Sequence, residues 1–165
     1  MPTLAAYLVR GEQPVLLADA VKHLVAELVD GGDAGLMTEE LAGDEYTVGA
    51  VVDAAQTPPF FGDRRIVVAR DVGRFSTHDV APLAAYLRDP LPTTSLVLVA
   101  GGGQVARSLV EAVRKAGHVG CPDDPGALDH PDRGRHVGQV CGGDVEQQGL
   151  DHDALGRKAG GGRVG

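Results

Sequence analysis

A strand that runs through a glycine-containing turn into a helix is a common way for a chain to hold a phosphate, and this sequence offers two such turns. The first reads Arg10-Gly11-Glu12-Gln13-Pro14, directly after the apolar run at residues 4–9. A nucleotide P-loop needs G-x-x-x-x-G-K-[ST] at that place, so that backbone N–H groups and a lysine hold the phosphates. Here there is one glycine, no lysine and no hydroxyl residue, and Pro14 removes a backbone donor. The apolar run at residues 95–100 is followed by glycines, not by an acidic pair for magnesium. ATP hydrolysis is therefore not expected. The second turn, Gly101-Gly102-Gly103-Gln104-Val105-Ala106, matches the dinucleotide fingerprint G-x-G-x-x-A. Asp123 lies about 20 residues on, where a ribose-binding acid belongs. That fingerprint normally follows the first strand of its domain, whereas here a long alternating pattern precedes it and too little chain follows to complete a nucleotide-binding sheet. An NAD-type nucleotide-binding enzyme using Gly101, Gly103 and Ala106 is the alternative reading; the plainer one is a glycine-rich strand-to-helix turn.

A third feature bears on binding. Gln56-Thr57-Pro58-Pro59-Phe60-Phe61-Gly62-Asp63-Arg64-Arg65 places two of the chain's 3 phenylalanines side by side between a proline stop and a glycine. Adjacent side chains in a loop do not easily enter the same core, so at least one is expected near the surface. Aromatic anchors dominate interface energetics, so an exposed pair on a rigid loop fits a partner's pocket. The other outcome, that both cap the local core, stays open on these residues alone. Metal chemistry has weak support. Cys121 and Cys141 lack a C-x-x-C partner, and His130 and His136 show no ligand spacing, so no metal is expected.

The elements that position these turns follow from periodicity. Residues 4–9 suit a buried strand. Pro14 suits the first position of a helix, and Leu17, Val21, Leu24 and Leu28 form one apolar helix face, ended by Gly31 and Gly32. Residues 33–46 are too acidic for a central strand, though 36–38 suit a short edge strand. Thr47 caps a helix carrying Val48, Val51, Val52 and Ala55, which Pro58 and Pro59 terminate. Residues 66–69 and 95–100 are continuous apolar runs, the mark of strands covered on both faces. Between them Ser76 and Asp79 resemble a capping box before the helix of Val80, Leu83, Ala84 and Leu87, which Pro90 and Pro92 stop. Residues 105–115 form the next helix, with Leu109, Val110 and Val113 facing the core. The expectation is an α/β fold: an open parallel sheet with flanking helices.

Lys and Arg number 15 against 23 Asp and Glu, a formal net charge of -8, which argues against broad phosphate-backbone binding. Residues 1–10 carry a single positive charge and too short an apolar run for a signal peptide. No stretch approaches the roughly 20 apolar residues that span a bilayer. Two cysteines make no disulfide framework, and a reducing cytoplasmic compartment is expected.

Taken together, residues 4–9 followed by Gly-Glu-Gln-Pro-Val-Leu-Leu, then Pro-Phe-Phe-Gly-Asp-Arg-Arg-Ile-Val-Val-Ala-Arg, then Leu-Arg-Asp-Pro-Leu-Pro-Thr-Thr-Ser-Leu-Val-Leu-Val, resemble the first domain of the bacterial DNA polymerase III delta subunit. The form is similar to the high-GC Gram-positive type, and residues 54–70 carry the most specific part of the likeness. The resemblance implies an AAA+-like domain without a P-loop over residues 1–117. It implies a clamp-loader subunit that binds and helps open the sliding clamp during DNA replication, as part of the DNA polymerase III holoenzyme. In that family two adjacent hydrophobic residues enter an apolar pocket of the ring-shaped clamp, and Phe60 and Phe61, after Pro59, occupy that place here. The resemblance also implies no cofactor and no catalysis by this chain, although the complex is a nucleotidyltransferase. Other loader subunits would be met through domains absent here, and DNA only indirectly.

Residues 118–165 depart from the family. They hold half of the glycines and both cysteines, and contain no aromatic, Ser, Thr, Ile or Met residue. Such a composition is expected to be a disordered Gly-rich tail, or the product of an altered reading frame near residues 117–120.

Overall fold

The computed structural model describes residues 4–120. The expectations for residues 121–165, including Cys121, Asp123, His130, His136 and Cys141, lie outside the described residues.

The first apolar run forms strand β1 (Ala6–Gly11), and α1 (Pro14–Val29) begins with Pro14 at its first position. Its buried face is Leu17, Ala20, Val21, Leu24, Leu28 and Val29. The left-handed residue that ends it is Asp30, at φ 46, with Gly31 following at φ 82, so the cap starts one residue before the glycine pair expected to supply it. A single turn, α2 (Ala34–Met37), is capped by the Asp33 carboxylate, which accepts from the Gly35 N–H at 2.9 Å. The edge strand then follows as β2 (Thr38–Leu41), two residues beyond its expected start. The Asp33 cap captures Leu36 and Met37 in the turn, and the strand falls on Glu39 and Glu40, which tolerate a solvent edge.

Helix α3 (Val48–Gln56) starts at the Thr47 cap, whose hydroxyl accepts from Ala50 N–H at 3.3 Å. Strand β3 (Arg65–Ala69) leads into a 3-10 turn (Val72–Arg74) and then α4 (Ala81–Tyr86). The Ser76–Asp79 box is reciprocal: Ser76 N–H donates to the carboxylate at 3.0 Å and Asp79 N–H to the Ser76 hydroxyl at 3.3 Å. Strand β4 (Thr94–Gly101), α5 (Arg107–Ala116) and β5 (Gly117–Gly120) complete the domain. His118, Val119 and Gly120 are therefore the fifth strand, not the beginning of the tail that was expected after Gly117. Four residues flanked by glycines are too few to show a period; pairing with β1 reveals them.

All strands run parallel, in the order β2-β3-β4-β1-β5. The alternation of β4 shows why its sequence is apolar throughout. Leu96, Leu98 and Ala100 join a core under α3, α4 and α5, while Val97 and Val99 join a second core under α1. Ala6 and Leu8 against Val9, and Val67 and Ala69 against Ile66 and Val68, divide in the same way. The sheet thus has helices on both faces, as the sequence implied.

Candidate protein-docking site

The turn between β1 and α1 contains only Glu12 and Gln13. It is too short to wrap a phosphate, which needs the longer glycine-rich loop of a P-loop. The other turn, after β4, carries Gly102 at φ 21 and Gly103 at φ 130. Its Ala106 lies outside α5 as the residue that caps it, accepting from Leu109 N–H at 2.9 Å. In a dinucleotide fingerprint the third small residue lies where the helix packs against its strand; here Ala106 precedes α5 and is half-buried against the core. Both turns lie at the carboxyl edge of the sheet. Among the described residues no group of three His, Cys, Asp or Glu side chains converges as a metal site.

The phenylalanine loop lies at the opposite, amino edge, between the end of α3 and the start of β3. Phe60 is 86% exposed and Phe61 59%. Neither caps the core, because that space is already filled. Val51, Ala54 and Ala55 of α3 pack there with Leu83, Leu87 and Tyr86, whose hydroxyl donates to the Ala55 carbonyl at 3.2 Å. Burial pushes the Tyr86 phenol up, and a hydrogen bond from Leu91 N–H partly offsets this.

The loop is held at three points. On the helix side, the Thr57 hydroxyl donates to the Asp53 carbonyl at 2.8 Å and seals the end of α3, after which Pro58 and Pro59 stiffen the exit. On the strand side, the Arg64 guanidinium donates to Ser95 Oγ at 2.9 Å, and that buried hydroxyl donates to the Leu4 carbonyl at 3.2 Å. Arg65 N–H donates to Thr93 O at 2.9 Å, while the Arg65 side chain pairs with Glu39 of β2. In the middle, Gly62 turns the chain at φ 73 and lies against Met37 of α2; a Cβ on Gly62 would stand 3.8 Å from both Met37 Sδ and Cε. The loop is thus a braced platform presenting two aromatic rings to solvent. Pro59, expected as part of the site, is half-buried at its base. Sequence reasoning did not find the Met37 seat. The available signal was Asp33, a cap that turns the acidic stretch before Met37 into a helical turn.

A second aromatic cluster braces the opposite end of β3. Arg74 stacks on Tyr46 and Phe75, with its guanidinium carbon 4.6 and 4.4 Å from the ring centroids, and donates to Tyr46 O at 2.6 Å. The Tyr46 hydroxyl donates to the Arg70 carbonyl. Burial raises the Tyr46 phenol, and the Arg74 cation pulls it partly back. Tyr46 is buried in this cluster, Phe75 is half-buried and Arg74 covers them from the solvent side.

The family model described as "DNA polymerase III, delta subunit" matches residues 7–117. Among solved structures, the chain is similar to the DNA clamp loader delta protein of Bacillus subtilis, with 22% identity and a TM-score of 0.56 over 72% of this chain and 38% of that one. It is similar also to a DNA polymerase III gamma subunit-related protein of Thermotoga maritima, with 13% identity and a TM-score of 0.56 over 73% of this chain and 41% of that one. At these identities the structural likeness is one of fold. No curated protein sequence matches the chain.

Proposed function

This chain belongs to the DNA polymerase III delta-subunit family, and from that premise we propose that it is a clamp-binding module that grips the sliding clamp through Phe60 and Phe61. The observation that carries the reading is the exposure of both rings, 86% and 59%, on a loop fixed at both ends. Two unpartnered aromatic side chains on a rigid loop lose little entropy on docking and bury a large apolar area, the property of an interface anchor. A plug that fits a distorted clamp better than a closed one would also favour ring opening, because a ligand shifts an equilibrium by its differential affinity.

The chain spans 38% and 41% of the two solved relatives. Assembly into a loader with other subunits is a further element of the proposal. So are a cytoplasmic location, the high-GC Gram-positive type, an indirect relation to DNA and the absence of catalysis by this chain. No helix among the described residues is long and apolar enough to cross a membrane. A nucleotide-binding reading of residues 101–106 has less support, since Ala106 falls outside α5.

The test is titration of the full chain with its cognate clamp in the absence of ATP. Saturable binding by the wild type and at least a hundredfold loss in Phe60→Ala/Phe61→Ala are expected, since two central aromatic anchors are worth about 2 kcal/mol or more each. Both rings are exposed, so the double variant should melt like the wild type. A folded wild-type chain without affinity for the clamp would sink the reading.

A further inference from the structure

Five large apolar side chains are exposed among the described residues: Val15, Leu16, Leu36, Phe60 and Phe61. They divide between the two edges of the sheet. Val15 and Leu16 sit in the first turn of α1, at the carboxyl edge. Leu36 lies in α2, which enters β2 at the amino edge, as the phenylalanine loop enters β3.

These two entries are neighbours. Strands β2 and β3 pair in the register Thr38↔Ile66, so the segments just before them run side by side. Met37, the residue after Leu36, reaches toward the loop: its sulfur stands 3.8 Å from where a Gly62 Cβ would be and 2.6 Å from where a Gly32 Cβ would be. The Arg65–Glu39 pair ties the strands just beyond. α2 itself is fixed by the Asp33 cap and by the Leu36 and Met37 N–H groups donating to the Asp33 carbonyl at 3.1 and 3.0 Å. Leu36 is therefore held, 58% exposed, on the element against which the phenylalanine loop leans.

We infer that α2 is part of the docking surface and that Leu36 is a third apolar contact to the same sliding clamp; this rests on the clamp-binding reading above. Continuity with Phe60 and Phe61 is what commits Leu36 to that occupant. A rigid body seated on the two rings has α2 beside it, because the two segments enter paired strands side by side and Met37 reaches toward Gly62. Val15 and Leu16, at the other edge, are outside its reach.

The inference is tested with the full chain by measuring clamp affinity for wild type, Leu36→Asp, Val15→Asp and Phe60→Ala/Phe61→Ala. All four positions are exposed, and thermal melts check that each variant folds. Leu36→Asp should weaken binding about tenfold, the scale of burying one leucine side chain, while Val15→Asp binds as the wild type does. Wild-type affinity in Leu36→Asp, with binding lost in the phenylalanine variant, overturns the inference and leaves the clamp reading standing. Retained binding in the phenylalanine variant overturns the clamp reading and the inference with it. Equal weakening by Leu36→Asp and Val15→Asp assigns the effect to charge and overturns the inference, as does sedimentation showing that Leu36→Asp only dissociates a dimer of this chain.

Discussion

Gly62 carries more of the site than its size suggests. At φ 73 it adopts a conformation that side-chain-bearing residues rarely take, and it does so between two aromatic rings and an arginine anchor. Space is not its constraint, since a Cβ would meet Met37 at an ordinary 3.8 Å. Gly62→Ala should therefore destabilise the protein by about 1 kcal/mol through backbone strain alone, read as a lower urea midpoint with an unchanged slope. Arg74 is the matching case at the other end of β3. Arg74→Ala removes two stacking contacts and hydrogen bonds to the Asp44 and Tyr46 carbonyls, and should cost about 1 kcal/mol. Arg74→Lys should restore little of that, because an ammonium lacks the planar fork; denaturant titration of both variants checks it. At this scale the sequence was informative about identity and silent about direction. Adjacent Phe60 and Phe61 after Pro59 marked a loop of interest, but whether they pointed inward depended on Tyr86 and Leu83, distant in sequence, having filled the space beneath α3.

The Ser76–Asp79 box shows how a local rule becomes a measurable property of an element. Hydrogen bonds from the Ser76 side chain and backbone hold the Asp79 carboxyl below its usual range. A folded-state value below the unfolded one, about 3.9, means that the box stabilises the protein above that pH and stops doing so as pH falls through the lower folded value. Melting temperature should thus fall on acidification below about pH 4, and Asp79→Asn should flatten that part of the profile while lowering the neutral-pH value. Elements with such signals were legible from the chain: Pro14 and Thr47 as helix starts, residues 95–100 as a strand buried on both sides. The displaced and missed elements lacked them. β2, two residues beyond the expected edge strand, carries Glu39 and Glu40, whose partners are Arg65 of β3 and Arg70 just after it, and β5 has four residues that pair with β1 alone.

For the whole molecule, the parallel sheet and its two helical layers were readable because strands covered on both faces leave an unbroken apolar run, whereas strand order was not, since no local period encodes which strand lies next to which. The stability of that arrangement rests on residues such as Leu109, fully buried where α5 meets the sheet. Leu109→Ala should cost about 3 kcal/mol, visible by calorimetry as a lower transition temperature. Gly117 is as demanding for a different reason: a Cβ there would lie 1.6 Å from the Ala6 carbonyl oxygen, so Gly117→Ala should detach β5 from β1, measurable as faster amide exchange along β1. The placement of the phenylalanine loop and the two closed turns at opposite edges has a practical consequence. β4 runs 8 residues from one edge to the other, a separation of about 25 Å. With Cys121 and Cys141 replaced by Ser, a cysteine introduced at Gln13, exposed in the β1–α1 turn, would give a single handle for a fluorophore or a surface tether that leaves the aromatic face pointing away from the attachment. Oriented that way, the molecule becomes a probe with a known working end.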